Sequence, residues 1–152
     1  MKKLVIFLSA VFFSTLVFAQ PDFSGSWKLN ESKSKLAERS FAPNKLVIVQ
    51  KGNDLSLETH NVFQGEERTR SSKYTMDGKE CVNPGFRDSE IKSTAVWSGD
   101  KKSLTITSKF AMQNGDMTMK AVYKMDGNNL VVESSSSSSF GDRSETQVFD
   151  KE

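Results

Sequence analysis

Glycine-containing turn signals recur along this chain at intervals that leave room for little except short strands. They are "KGND" from Lys51, "FQGE" from Phe63, "MDGK" from Met76, "NPGF" from Asn83, "WSGD" from Trp97, "QNGD" from Gln113, "MDGN" from Met125 and "FGDR" from Phe140. Most lie twelve to sixteen residues apart, the spacing of strands joined by hairpins. The runs between them alternate apolar and polar and show no helical period. The pattern predicts an antiparallel meander of about nine runs. One segment, "ESKSKLAERS" at 31–40, is rich in helix formers and lacks Gly and Pro. It reads either as one or two helical turns covering a barrel mouth or as a plain surface loop, since so short a helix needs something to pack on.

Counting through the turns gives registers. A two-residue Asn114-Gly115 turn sets Phe110 opposite Met119, Ser108 opposite Ala121, Ile106 opposite Tyr123 and Leu104 opposite Met125. Through Gly127-Asn128, Met125 faces Leu130, Tyr123 faces Val132, and Ala121, Met119 and Met117 face Ser134, Ser136 and Ser138. A loop from Gly99 to Lys102 sets Trp97, Ala95, Ser93 and Ile91 against Leu104, Ile106, Ser108 and Phe110. The three turns agree on one inward face, and a slip of a single residue would turn that whole face outward. With no helices to cover it, the sheet must stack on another or curl closed. The expected fold is all-β: an up-and-down antiparallel meander β-barrel of eight to ten strands, with a Greek-key sandwich as the rival.

The N-terminus carries a different signal. "MKK" is a basic n-region, "LVIFLSAVFF" an apolar h-region, and "VFA" precedes Gln20 with small or apolar residues where a signal peptidase cuts. Residues 1–19 are therefore expected to be a signal peptide and 20–152 the mature domain, released in the periplasm or secreted. The apolar stretch is short for a membrane anchor and no basic stop-transfer cluster follows it. The mature chain is not expected to insert in a membrane. Lys2 and Lys3 supply the whole net charge of +2, so the mature chain sums to zero, which argues against a nucleic-acid footprint. The one cysteine, Cys81, allows no internal disulfide or thiolate zinc site and is expected to be half-buried.

The mature N-terminus reads "FSGSWKLNESKS", with Phe23, Gly25, Trp27, Lys28 and Leu29 in an F-x-G-x-W-K-L pattern. This resembles the opening strand of the calycin superfamily, the lipocalins and fatty-acid-binding proteins, and is similar to the small lipocalin-like domains that bacteria export. The resemblance implies that Gly25 lets the strand bend and that Trp27 plugs the closed end of the barrel. The final "TQVFDKE" is similar to the closing strand of fatty-acid-binding proteins. There the family carries an Arg-x-Tyr clamp for a carboxylate, and this chain has Gln147 and Phe149 at the matching positions. Gln cannot supply a bidentate charge-assisted pair. The two-helix lid is shortened and the lipocalin disulfides are absent.

Taking Gly141-Asp142 as a two-residue turn sends Glu145, Gln147 and Phe149 inward, across from Ser138, Ser136 and Ser134. The expected lining then has a waist of Ser93, Ser108, Ala121 and Ser134. Above it stand Ile91, Phe110, Met119, Ser136 and Gln147, with Tyr123 and Phe149 completing the ligand-binding set. Side chains this small leave volume that a filled core would occupy with Leu or Phe, unless Leu46, Ile48, Leu57, Tyr74 and Met76 fill it from the opposite strands. The run Ser134–Ser139 is read as a strand and not as a linker. The only histidine, His60, falls on the outer face with Val47 and Glu58, and Glu145 is a lone inward carboxylate. No catalytic residues, metal site or cofactor are expected. The leading reading is a monomeric, non-enzymatic binding protein for a small, mostly apolar or amphipathic molecule. The second is an exported protein-interaction module, an inhibitor or envelope accessory protein, with a solid core.

Overall fold

A computed structural model of the chain describes residues 20–38, 40–85, 89–111, 115–139 and 141–152, apart from the Phe63 side chain. The expected signal segment, 1–19, lies outside the described residues. Ten strands follow in order: β1 (Gly25–Leu29), β2 (Lys45–Lys51), β3 (Asp54–Phe63), β4 (Glu66–Thr75), β5 (Asp77–Pro84), β6 (Glu90–Trp97), β7 (Ser103–Phe110), β8 (Met117–Asp126), β9 (Asn129–Ser138) and β10 (Gly141–Lys151). They form one antiparallel sheet, ordered β4-β3-β2-β1-β10-β9-β8-β7-β6-β5. Sequence neighbours pair except β4 and β5, and β1 also pairs with β10, joining the first and last strands. A single sheet of this kind curls into a nearly closed up-and-down barrel and leaves no place for the sandwich alternative.

The Gly127-Asn128 turn and the Gly99–Lys102 loop set the counted registers, with Trp97 opposite Leu104 and Tyr123 opposite Val132; the Gly52-Asn53 turn sets Leu46 opposite Thr59. Two registers differ. Between β7 and β8, Phe110 faces Met117, Ser108 faces Met119, Ile106 faces Ala121 and Leu104 faces Tyr123. The register is shifted by two residues from the counted one, and Gln113 and Asn114 of the expected turn lie outside the described residues. Between β9 and β10, Gly141 itself pairs with Ser138, so Glu145, Gln147 and Phe149 face Ser134, Val132 and Leu130. The reversal falls before Gly141, which is free to enter the strand at a φ of 105°. Both slips are by an even number of residues and leave every side chain on its expected face.

Segment 31–40 holds no helix among its described residues. Its backbone is satisfied by β10: Lys35 and Thr146 exchange N–H···O bonds of 2.8 and 2.9 Å, and the Ala37 N–H donates to Glu145 Oε2. The serine run is a strand through Ser138.

The end of the barrel near Phe23 is plugged by aromatic packing. Trp27 and Phe23 are each 1% exposed. Trp27 Nε1 donates to the Phe23 carbonyl at 2.8 Å, Phe23 stacks on Trp97 with centroids 5.6 Å apart, and the Lys151 ammonium sits 5.3 Å from the centre of the Trp27 ring. Gly25 permits this approach: its φ is 144°, and a Cβ there would lie 3.0 Å from Lys151 Cε.

The first and last strands of the sheet order, β4 and β5, are neighbours in the chain and share no ladder. A side chain joins them. The Lys73 N–H donates to Asn83 Oδ1 at 2.7 Å, and Asn83 Nδ2 donates to the Lys73 carbonyl at 3.0 Å, so the buried amide reproduces one rung of backbone pairing. One step toward the closed end, the Thr75 N–H points to Cys81 Sγ at 3.2 Å. Cys81 is half-buried and free.

Replacing Asn83 by Leu deletes both bonds and strands a donor and an acceptor of Lys73. The expected loss is about 1–3 kcal/mol, read as a lower denaturant midpoint at unchanged slope; an unaltered midpoint would show that the seam carries no stability. A second prediction concerns the outer face, where His60 lies between Glu67 (Nδ1, 2.9 Å) and Glu58 (Nε2, 2.7 Å). The hydrogen bond that the imidazole donates to Glu67 raises its pKa above the ordinary 6.5; burial opposes this, and the bond donated to Glu58 and the charges of both carboxylates add to the rise. Because the folded state holds this proton more tightly, the contribution is complete below pH 6.5 and fades as pH rises through the raised value. In an NMR titration, Glu67→Gln should move the His60 midpoint down, and an unmoved midpoint would contradict the pairing.

Candidate functional site

Residues paired across neighbouring strands share a face of the sheet, so the registers sort the inner wall into rungs. The lowest holds Met125, Leu130, Phe149 and Leu29. Above it run Trp97, Leu104, Tyr123, Val132 and Gln147, then Ala95, Ile106, Ala121, Ser134 and Glu145, then Cys81, Ser93, Ser108, Met119, Ser136 and Arg143. The expected ring of Ser93, Ser108, Ala121 and Ser134 is thus split over two adjacent rungs. The β7–β8 slip moves Ala121 beside Ile106 and brings Met119 beside Ser108. What survives is a band two rungs deep containing Ser93, Ala95, Ser108, Ala121, Ser134 and Ser136.

The expected lining residues fall into three environments. Phe149 (0% exposed) and Tyr123 (7%) belong to the floor, packed with Trp27, Leu104 and Leu130. Ile91, Ser93, Ser108 and Gln147 are buried higher on the wall. The Ser93 and Ser108 hydroxyls lie 2.8 Å apart and satisfy each other, and Gln147 Nε2 donates to Glu145 Oε1 at 2.6 Å. Phe110, Met119, Ala121, Ser134 and Ser136 are half-buried on the inner wall. The opposite wall brings Leu46, Ile48, Leu57, Tyr74 and Met76 into the same core as the floor residues. Burial pushes the Tyr123 phenol pKa far up and that of Tyr74 up as well, so both stay neutral in the physiological range.

Nothing in this arrangement resembles a reaction centre. His60 is held on the outer face by two carboxylates, and Glu145 is occupied by Gln147 and the Ala37 N–H. Among the described residues no group of three His, Cys, Asp or Glu side chains is placed to hold a metal.

Counting only the turns above missed a basic feature of the inner wall. At the Gln64-Gly65 turn both residues have positive φ, 53° and 82°, which closes a two-residue hairpin. Leu57 then faces Ser72, Thr59 faces Arg70 and Asn61 faces Arg68. Since Leu55, Leu57 and Tyr74 point into the core, Arg70 and Arg68 share the inner face. The "FQGE" signal contained this register.

Two concavities, of about 490 and 350 Å³, lie on the outer wall of β8, β9 and β10, where the segment at Lys35 crosses β10. Lys120, Ser135 and Ser144 border both.

No family model matches this sequence, and no curated protein matches it. Solved structures do. The zebrafish ileal bile acid-binding protein, solved with cholic acid, superposes with a TM-score of 0.59 at 20% identity, covering 86% of this chain and 98% of that one. An abundant heat soluble (SAHS) protein from Ramazzottius varieornatus gives 0.60 at 12% identity over 86% of this chain and 95% of its own. Echinococcus granulosus fatty-acid-binding protein 1 gives 0.56 at 14%, over 85% and 96%. These likenesses carry the fold alone: the ten-stranded up-and-down barrel of this chain is like theirs.

Proposed function

We propose that this protein is an exported, non-enzymatic binding protein that holds one small, mostly apolar or amphipathic molecule inside its barrel as a monomer. The observation that carries the reading is the band of Ser and Ala side chains directly above an aromatic and aliphatic floor. Small residues on the wall of a barrel this wide favour a lumen that a guest molecule fills, with hydroxyls available to its polar atoms. The cholic acid bound by the zebrafish protein and the fatty-acid-binding name of the Echinococcus protein support a guest of this class. Export rests on the basic, apolar and small-residue succession of residues 1–19. A second reading, an exported protein-interaction module, is favoured by the outer-wall grooves near Lys35 and Lys120.

Ala121→Trp separates the two. If the lumen is open, the indole enters existing space: the variant should keep its denaturant midpoint and lose one-to-one binding of an apolar fluorescent probe. In a filled core the same change should cost the overpacking penalty of ~1–3 kcal/mol, while an interaction through the outer wall persists in the folded fraction. Marked destabilisation, or unchanged probe binding, would transfer preference to the second reading. For export, mass analysis of the product should find Gln20 at the N-terminus; residues 1–19 intact in a membrane fraction would replace cleavage with anchoring.

A further inference from the structure

The outer wall carries a trough that a molecule inside the barrel would not touch. On β9 and β10 the outward positions Ser135, Ser137, Ser144 and Thr146 are all short and hydroxyl-bearing, so the wall sinks between its neighbours. Lys120 forms one bank, standing on β8 opposite Ser135. The other bank is the segment at Lys35, fixed against β10 by the N–H···O bonds that Lys35 and Thr146 exchange. Lys35 and Lys120 border the same concavity of about 490 Å³, and the second, of about 350 Å³, shares Lys120, Ser135 and Ser144 with it.

We propose that this trough binds an acidic polysaccharide, a hydroxyl-rich chain with carboxylates on its sugars. Lys35 and Lys120 are exposed, and among the described residues neither forms an ion pair. The carboxylates bordering the larger concavity are committed, Glu133 to Lys124 and Glu145 to the Gln147 amide and the Ala37 N–H. Asp142 borders only the smaller one, beside Arg143. Positive charge continues past Lys120: Lys109 lies diagonally from it across the β7–β8 ladder and directly faces Lys92 on β6. Like charges opposite each other on a sheet oppose folding, and Glu80 meets only Lys92, at 3.7 Å. A bound polyanion relieves that repulsion. From Lys92 to Lys35 the band crosses β7 to β10, roughly 24 Å along the curved wall at about 4.8 Å per strand spacing. That length takes a chain of several sugars and not a single ion.

The lining decides among acidic polymers. Ser and Thr hydroxyls both donate and accept, as sugar hydroxyls do, and among the described residues Val122 is the only apolar one bordering either concavity. An acidic peptide would find neither an apolar pocket nor a free strand edge to extend, because β8, β9 and β10 each have neighbours on both sides. A single-stranded nucleic acid would find no aromatic ring there to stack on. Lysine ammonium groups act as point charges on flexible stems, so they can follow carboxylates that change direction along a sugar chain.

The test titrates a galacturonate oligosaccharide, its methyl-esterified form and an oligoglutamate of equal charge into the wild-type protein, the double variant Lys35→Gln/Lys120→Gln, and Ser135→Leu. The wild type should bind the acidic sugar, more weakly as salt rises, and should prefer it to the neutral ester by about tenfold or more, the scale of two exposed ion pairs. The double variant should lose that preference at an unchanged denaturant midpoint. Ser135→Leu keeps the charges but fills the floor, and should weaken binding of the acidic sugar as well. No binding of the acidic sugar, equal binding of its ester, or a double variant that binds as the wild type does would overturn the assignment. Oligoglutamate bound as tightly as the galacturonate would overturn it in favour of an acidic protein segment. An apolar fluorescent probe reads the lumen separately, so the trough and the lumen stand or fall independently.

Discussion

The barrel closes on one side-chain amide. Ten strands in a meander have two free edges, and here these belong to β4 and β5, which no ladder joins. An unpaired edge inside a compact chain leaves main-chain donors and acceptors without partners and offers a template for foreign strands. Asn83 answers both problems at one point. Its carboxamide carries the same donor and acceptor pair as a peptide group, and it meets the Lys73 N–H and carbonyl as a neighbouring strand would. The seam is consequently narrow enough for the two walls to enclose a common core, yet is held by far fewer bonds than any other junction in the sheet.

From the aromatic end upward, the interior grades from large to small side chains. Phe23, Trp27, Leu104, Leu130 and Phe149 are essentially sealed from solvent. They hold the ends of the chain together, since β1 and β10 meet at Trp27 and Lys151. Higher up, Ser93, Ala95 and Ser108 stay buried on β6 and β7, whereas Ala121, Ser134 and Ser136 on β8 and β9 are half-buried. The floor and the opposite wall, with Leu46, Ile48, Leu55 and Leu57, share one core of buried apolar side chains.

Much of this was legible from period-two alternation and turn chemistry. The inward serines of β9 and the outward His60 follow from counting residues, and Trp27 at the closed end from the resemblance of the opening strand. The counts differ where the register is centred earlier than the glycine suggests, at β7–β8 and β9–β10. Because both slips were even, faces survived while neighbours changed: Ala121 acquired Ile106, and Phe149 moved from beside Ser134 to beside Leu130. Burial of Phe149 and Tyr123 in the floor follows from those neighbours and could not be read from parity. The inward Arg70 was available in the "FQGE" turn. Asn83 was not, because its role depends on two strand edges meeting across a gap, and no local pattern in a sequence records that closure.

If the upper barrel is a lumen into which a molecule fits, methionine methyl groups report on it directly. Met119 is half-buried on the inner wall between Ser108 and Ser136, whereas Met76 lies buried among the core residues. With 13C-methyl methionine, titration by an apolar ligand should shift the Met119 resonance and produce ligand-to-methyl NOEs there. A ligand that binds while Met119 shows neither, and that instead gives NOEs to Thr118 or Val122 on the outer wall, would contradict the account.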